Sequence, residues 1–183
     1  MSVIIRPART ADAEGIAHVH VDSWRTTYPG MVPDDYLVSL SERASLLRWR
    51  HALTGAWGTN RTFIAEDPAW GIIGFATCGI QRTKLEGFGG EFYALYLQDF
   101  AQGQGTGRQL MATMADDLRA VGINSAVVWV LKSNPSRWFY QRLGGMPLAE
   151  QPIRFAGADL VEFAYGWKDL APLARLSVDP QVR

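Results

Sequence analysis

The spacing of apolar residues changes along the chain and predicts helices first and strands afterwards. From Thr10 to Tyr28, apolar side chains recur every three or four residues, as on one face of a helix. Two shorter helical patterns follow over 33–40 and 41–52, and Ser41 is placed to cap the second. After residue 60, continuous apolar runs replace this spacing, which is typical of strands buried in a sheet.

Strands and helices then alternate in the second part of the chain. The predicted strands are 3–6, 61–66, 71–79, 91–97, 125–131, 146–151 and 158–165. Predicted helices lie at 107–121 and 135–143. This order favours one α/β domain around a single mixed sheet. We place the domain at 1–170 and expect the polar residues 171–183 to form a loosely held tail.

Composition adds few constraints beyond a globular domain. The 183 residues are 48% hydrophobic and 20% charged, with 18 basic and 18 acidic side chains. Such a balance provides no field that would gather nucleic acid or an anionic membrane. No apolar stretch has the length of a membrane span, and the first residues do not resemble a signal peptide. We therefore expect a cytoplasmic protein without nucleic-acid or membrane partners.

Cysteine and histidine give little support to metal or nucleophilic chemistry. Cys78 is the only cysteine, and its apolar surroundings favour a buried structural thiol over a nucleophile. His18, His20 and His51 have no shared metal-ligand spacing, because the first two point apart on a helix. We expect no metal cofactor.

A glycine-rich turn is the strongest chemical signal. The residues Gln102-Gly103-Gln104-Gly105-Thr106-Gly107 lie directly between a predicted buried strand and a predicted helix. The first amides of a helix have no intrahelical partners and lie at its positive end, so they suit an anion. Glycines remove side chains that would hold a phosphate away, and Arg108 adds a cation. The turn predicts a phosphate or pyrophosphate site, although glycine-rich connections without a ligand are common.

The two usual nucleotide motifs do not fit this turn. A P-loop requires lysine after its glycines, and none follows here. A dinucleotide fingerprint needs a third glycine where this chain has Arg108 or Leu110, and it follows the first strand of its domain. A nucleotide-phosphate binder is thus the weaker hypothesis.

The pattern Gln/Arg-x-x-Gly-x-Gly/Ala does fit, through Gln102, Gly105 and Gly107. With it, the chain resembles the GNAT family of acyl-CoA-dependent N-acyltransferases over nearly its whole length. Further similarity lies in Leu95-Tyr96-Leu97, in the segment 134–145 (NPSRWFYQRLGG), and in the segment 23–30 (SWRTTYPG). The resemblance implies a GNAT domain with a mixed, mainly antiparallel sheet of about seven strands flanked by helices. It also implies acetyl-CoA as co-substrate, transfer to a primary amine by direct attack, and a splayed fourth strand that accepts the pantetheine arm.

The resemblance implies specific roles for residues along the site. The implied acetyl-CoA-binding residues are Leu95, Tyr96, Leu97, Gln102, Gly103, Gln104, Gly105, Thr106, Gly107, Arg108, Asn134 and Tyr140. Tyr140 matches the family tyrosine near the CoA sulfur, so it is the expected proton donor to the leaving thiolate, with core packing as the alternative. Asn134 could bind pantetheine or only cap a helix. Glu91 opens the central strand, where the family often carries a base; strand alternation places it with Tyr93, Leu95 and Leu97, and a solvated strand end is the alternative.

The acceptor side is less determined. Trp24 and Tyr28 lie four residues apart on one helical face, and they either bind the acceptor amine or seal the core. The acceptor is expected to be a small-molecule or peptide amine, and a homodimer is a family-level expectation. A catalytically silent acyl-CoA-binding module is the alternative function, because the role of Glu91 is open.

Overall fold

A seven-stranded mixed sheet forms the centre of the molecule. The computed structural model describes residues 3–56 and 60–177. The strands are β1 (Ile4–Pro7), β2 (Arg61–Asp67), β3 (Gly71–Ile80), β4 (Gly90–Leu97), β5 (Ala126–Leu131), β6 (Met146–Phe155) and β7 (Ala158–Trp167). Their order in the sheet is β1-β2-β3-β4-β5-β7-β6. Among these strands, β4 and β5 run parallel and the other neighbouring pairs are antiparallel. The predicted mixed, mainly antiparallel sheet with flanking helices is confirmed.

Helices cover both faces of the sheet. They are α1 (Ala13–Thr27), α2 (Asp34–Ser39), α3 (Glu42–His51), α4 (Thr106–Ala120), α5 (Arg137–Arg142) and α6 (Ala171–Ala174). Short 3-10 turns precede α1 and α4 and follow α6. Ser41 accepts a hydrogen bond from the Ala44 amide at 3.4 Å, so the predicted cap of α3 is present. None of the described helices has both the length and the apolar character that crossing a membrane requires.

The two faces of the sheet bury two separate cores. The core beneath α4 contains buried side chains such as Phe92, Met111 and Trp167, and strands β2 to β5 and β7 contribute to it. Beneath α1 and α3, a smaller core contains Ile16, Phe75 and other apolar side chains. Cys78 lies in the α4 core, where burial raises the pKa of its thiol to about 12. The thiol is thus structural, as the sequence indicated.

The end of the chain differs from the sequence-based expectation. Residues 171–177 were expected to begin a loose tail, but Leu173 and Ala174 are buried against the core beneath α4. The Ala174 amide donates to the Leu170 carbonyl, and this hydrogen bond links the short helix α6 to the residue that precedes it. The prediction is wrong here because the segment carries the apolar residues Leu173, Ala174 and Leu176, which pack against this core. Residues 178–183 lie outside the described part of the chain.

An extra residue in β4 changes which face its side chains occupy. On β3, the adjacent residues Thr77 and Cys78 pair with Ala94 and Phe92, which leaves Tyr93 as a β-bulge. Beyond the bulge, Leu95 packs in the α4 core together with Phe92. The alternation of faces is therefore reversed at Tyr93, and residues on its two sides cannot be assigned by counting in twos.

Strands β4 and β5 separate after three residue pairs. Their parallel pairing covers Gly90–Phe92 with Ala126–Val128 and stops at the bulge. The remaining residues of β4 pair with β3 alone, and those of β5 pair with β7 alone. The resulting V-shaped gap confirms the splayed fourth strand that the sequence implied.

Candidate active site

A cavity of about 960 Å³ occupies the gap between β4 and β5. Its walls come from the separated parts of both strands, the glycine turn, α5, the end of α1 and the β6–β7 hairpin. It therefore connects the α4 side of the sheet with the α1 side. We call the part near the glycine turn and α5 the donor half, and the part between α1 and the hairpin the acceptor half.

The glycine turn forms one end of the donor half. Gly103 and Gly105 have φ angles of +72° and +88°, which residues other than glycine rarely adopt. Gly105 is the residue that caps α4, so the first amides of this 15-residue helix face the turn. The side-chain amide of Gln102 donates to the Leu97 carbonyl at 3.3 Å and to the Asp99 carboxylate at 3.2 Å, which ties the turn to the end of β4.

The glycine at position 107 of the turn also has a packing reason. A side chain at Gly107 would come within 3.3 Å of Leu97 and 3.4 Å of Phe139, so this position holds α4 close to β4 and α5. Gln104 donates instead to the Phe100 carbonyl at 2.7 Å, and Thr106 is buried. These two residues do not line the cavity, whereas Arg108 does.

Asn134 and Tyr140 lie on the wall opposite the turn. Asn134 is buried and accepts a hydrogen bond from the Ser136 amide at 2.8 Å, which shapes the start of α5. Tyr140 is buried in the middle of α5 and also lines the cavity. Burial raises the pKa of its phenol, so the group stays protonated throughout the physiological range.

Three phenols meet where the two halves join. The hydroxyl of Tyr28 interacts with Tyr96 and with the side chain of Asn134, and it is close enough to Tyr140 to affect the ionisation of that phenol. Burial raises the pKa of Tyr28 and Tyr96 as well. The junction therefore presents neutral hydroxyl groups, which can donate protons but carry no charge.

Aromatic rings form the wall of the acceptor half. Trp24 stacks on Tyr28 with 4.5 Å between ring centroids and contacts Phe155 of the β6–β7 hairpin at 5.8 Å. Phe155 also meets Tyr36 of α2 at 4.8 Å. A two-residue turn at Ala156 and Gly157, both with positive φ, places this ring at the tip of the hairpin. Trp24 and Tyr28 both line the cavity.

The sequence-based assignment of Glu91 to a face of the sheet is wrong. Glu91 was expected to share a face with Leu95 and Leu97, but these two pack in the α4 core together with Phe92. Because Glu91 precedes Phe92, it lies on the opposite face, towards α1. The bulge at Tyr93 is the physical reason, since it reverses the alternation between Glu91 and Leu95.

Glu91 does not line the cavity. Its side chain is 3% exposed, and Arg82 donates to its Oε1 atom from Nη2 at 2.6 Å. The backbone amide of Arg82 donates to the other carboxylate oxygen at 2.8 Å. The guanidinium also stacks over Tyr93 at 3.9 Å. Glu91 thus holds the loop between β3 and β4 in place.

Glu162 is a functional candidate that the sequence analysis missed. It lies on β7 opposite Leu131, lines the acceptor half of the cavity and is half-buried. Burial raises the pKa of its carboxyl, and a hydrogen bond from Gln151 at 3.5 Å opposes this. The signal in the sequence was one acidic residue within the apolar run 160–165.

Most residues assigned to the site from the sequence line this one cavity. Those that do are Trp24, Tyr28, Leu95, Tyr96, Leu97, Gln102, Gly103, Gly105, Gly107, Arg108, Asn134 and Tyr140. Glu91, Gln104 and Thr106 do not. No cluster of histidine, cysteine or acidic residues suited to a metal ion occurs within residues 3–56 and 60–177.

Comparison with known proteins places these features in a family. Residues 80–152 match the family model described as FR47-like protein. The chain is 42% identical over 175 residues to a Bacillus subtilis (strain 168) protein named uncharacterized N-acetyltransferase YuaI, covering 95% of this chain and 98% of the relative. It is 29% identical over 152 residues to an L-methionine sulfoximine/L-methionine sulfone acetyltransferase of Pseudomonas aeruginosa, covering 79% of this chain and 80% of the relative.

The fold also has counterparts among solved structures. One is the PaiA N-acetyltransferase of Thermoplasma acidophilum in complex with coenzyme A, with a TM-score of 0.67 and 21% identity. The match covers 89% of this chain and 98% of that chain. At this identity the likeness concerns the fold.

Proposed function

The chain belongs to the GNAT family of N-acetyltransferases, and we propose that it transfers an acetyl group from acetyl-CoA to a primary amine by direct attack in a ternary complex. One observation carries the proposal. A single cavity leads from the glycine turn, past the buried Tyr140 phenol, to an aromatic compartment on the other side of the sheet. Two substrates that approach from opposite faces would meet beside that phenol.

The donor half suits the chemistry of acetyl-CoA. The first amides of α4 and the Arg108 side chain would hold the pyrophosphate, because both favour an anion. The separated part of β4, over Tyr93–Leu97, has no strand partner on the β5 side among the described residues. Its backbone groups would hydrogen-bond the amides of the pantetheine arm as a neighbouring strand does.

Transfer from a thioester needs a proton for the leaving sulfur, and Tyr140 would supply it. Its phenol is kept neutral by burial, so it is a donor at every physiological pH. Asn134 fixes the start of α5 and thereby the position of the phenol. No covalent enzyme intermediate is required, because the amine nitrogen attacks the thioester carbonyl directly.

The acceptor half would bind the amine between Trp24, Tyr28 and Phe155. Ring faces provide apolar contact, and they also attract an ammonium group before it loses its proton. The amine of a small molecule or of a peptide end fits this description. The P. aeruginosa relative is named as an acetyltransferase of L-methionine sulfoximine and L-methionine sulfone, which supports an amine as the acceptor of this chain.

Thiol release and ligand-induced thermal shift test this function together. Purified protein is expected to release free CoA from acetyl-CoA with at least one member of a panel of primary amines. CoA, but not ATP or NAD, is expected to raise the melting temperature. Stabilisation by CoA without thiol release for any amine would instead favour the catalytically silent binding module. Stabilisation by ATP or NAD alone would reject the assignment of the glycine turn to CoA.

A further inference from the structure

Two carboxylates lie on the α1 face of the sheet near the junction of the cavity, and they have different surroundings. Glu91 lies on β4 and Glu162 on β7. Both oxygens of Glu91 already accept hydrogen bonds from Arg82, and the side chain is closed off from the cavity. An amine could reach this carboxylate only after the loop between β3 and β4, which carries Arg82 and is called the Arg82 loop below, had moved.

Glu162 is open to the cavity instead. The one hydrogen bond described for its carboxylate comes from Gln151 on the neighbouring strand, and it is long at 3.5 Å. The charges of Glu91 on β4 and Arg82 in the β3–β4 loop influence the pKa of Glu162, and Glu162 in turn raises the pKa of the Tyr28 phenol at the end of α1. Glu162 is therefore close to the phenol that meets Tyr96 and Tyr140 at the junction.

The remaining charged side chains that line the cavity stand in the donor half. Among the described residues they are Asp99 before the glycine turn, Arg108 in the first turn of α4 and Arg142 at the end of α5. In the acceptor half, Glu162 is accompanied by aromatic and aliphatic side chains and by the hydroxyl groups of Ser23, Thr26 and Thr27 on α1. Among the described residues that line this compartment, Glu162 is the one carboxylate and none is a cation. The nearby Arg82 guanidinium lies outside the lining and is held by Glu91.

We propose that Glu162 binds the ammonium group of the acceptor and takes its proton, in a compartment that favours primary amines without a carboxylate of their own. The inference rests on the proposed acetyl transfer. Glu91 then has the separate role of fixing the Arg82 loop. A carboxyl whose affinity for protons is increased by partial burial suits a base that must accept a proton near neutral pH.

The protons and electron pairs of the transfer balance with this assignment. The acceptor enters as an ammonium ion and passes one proton to Glu162, which frees the nitrogen lone pair. That pair forms the N–C bond to the thioester carbonyl, and the C–S bond breaks with its electrons going to sulfur. Tyr140 gives the sulfur its proton and is restored by the second proton of the nitrogen. Glu162 finally releases its proton to solvent, so one proton leaves for each amide formed.

Steady-state kinetics of three Glu→Gln variants test this assignment. In Glu162→Gln, kcat/KM at pH 7 is expected to fall about 100-fold or more, as when a general base is removed. The loss should shrink towards pH 10, where a primary amine with a pKa of about 10.4 becomes partly neutral in solution. It should also be small for a weakly basic amine that is neutral at pH 7. Glu150→Gln is the matched control, because Glu150 lies exposed on β6 in an ion pair with Lys132.

A matched pair of acceptors tests the preference for amines without a carboxylate. Phenylethylamine and phenylalanine differ by one carboxylate, and the first is expected to have a kcat/KM at least about tenfold higher, because a like charge near Glu162 is repelled. Higher activity with phenylalanine would overturn this part of the inference.

The possible failures are distinguishable. If wild-type protein is active and Glu162→Gln matches it, or if Glu91→Gln shows the pH-dependent loss instead, Glu162 is not the base although the acetyl transfer stands. An equal loss for Glu162→Gln at all pH values and with all amines indicates a structural role and also overturns the inference. Absence of thiol release by the wild-type protein with every amine would overturn both proposals.

Discussion

Arg82 covers Glu91 with two kinds of donor at once. Its guanidinium Nη2 lies 2.6 Å from one carboxylate oxygen, and its backbone amide lies 2.8 Å from the other. The carboxylate is 3% exposed while the arginine side chain is 61% exposed, so the pair joins the interior of the sheet to its surface. This link fixes the loop between β3 and β4 beside the acceptor half.

Replacement of Arg82 by alanine is expected to lower the free energy of unfolding by about 1–3 kcal/mol, because a buried carboxylate loses charged hydrogen bonds. Arg154→Ala provides the matched control. Arg154 and Asp159 form an ion pair of 2.7 Å with both side chains exposed, so the change there should stay within about 0.5 kcal/mol. Urea unfolding at pH 7 measures both variants, and equal losses would contradict the role given to Glu91.

Tyr140→Phe is expected to reduce kcat about 100-fold while leaving the Kd for CoA nearly unchanged, because a proton donor is lost without a change in shape. Tyr165→Phe serves as the control, since Tyr165 is buried in the core beneath α4 and does not line the cavity. Thiol release gives kcat, and calorimetric titration gives the affinity. Unchanged turnover in Tyr140→Phe would remove this phenol from the mechanism.

Gly105→Ala tests the anion site at the start of α4. A side chain at φ +88° is strained by about 1–2 kcal/mol, and here it would also stand where the pyrophosphate is proposed to bind. Gly122 follows the other end of α4 with φ +84° and equally open space around it. Gly122→Ala should therefore lose similar stability and keep its CoA affinity, whereas Gly105→Ala should lose affinity at least about tenfold. Similar affinities for both variants would contradict the site.

His20 is expected to make stability depend on pH. Burial, helped by the charge of Arg48, lowers the pKa of its imidazole to about 4, below the ordinary 6.5. Between these values the unfolded chain binds a proton that the folded chain does not, so stability is complete above pH 6.5 and falls towards pH 4. This lowering of the His20 pKa corresponds to a loss of about 3 kcal/mol in the free energy of unfolding once the pH is well below 4.

Unfolding free energies measured from pH 7.5 to 4.5 test this dependence. The difference in free energy of unfolding between wild type and His20→Gln should become smaller as the pH falls, since the variant lacks the titrating group. His51→Gln, at an exposed position, should keep the slope of the wild type. If the free energies of unfolding of wild type and His20→Gln differ by the same amount at every pH, His20 does not cause the pH dependence of stability.

The sequence predicted the strands, the order of elements and a group of residues that line the cavity. This succeeded because the glycine turn, the Asn134–Tyr140 segment and the Trp24–Tyr28 face are local patterns whose spacing survives folding. Each is contained in one element or one connection. Their meeting in one cavity followed from the family resemblance and from the separation of β4 and β5.

Features that depend on pairing between distant strands could not be predicted from the local spacing of residues. The bulge at Tyr93 arises from the register of β3 against β4, and the position of Glu162 arises from the pairing of β7 with β5. Neither register is contained in the local spacing of residues. The docking of Leu173 likewise depends on the surface of α4, and composition alone suggested a free tail.

The bulge makes one position of β4 expendable. Phe92 pairs with Cys78 and Ala94 pairs with the adjacent Thr77, so loss of Tyr93 would join two residues that already face neighbouring positions of β3. Glu91 would keep its face of the sheet, and Phe92 would still pack against Trp167, with 5.5 Å between the ring centroids. Homologous chains should therefore accept the loss of one residue at this point of β4 without an exchange of the strand's two faces.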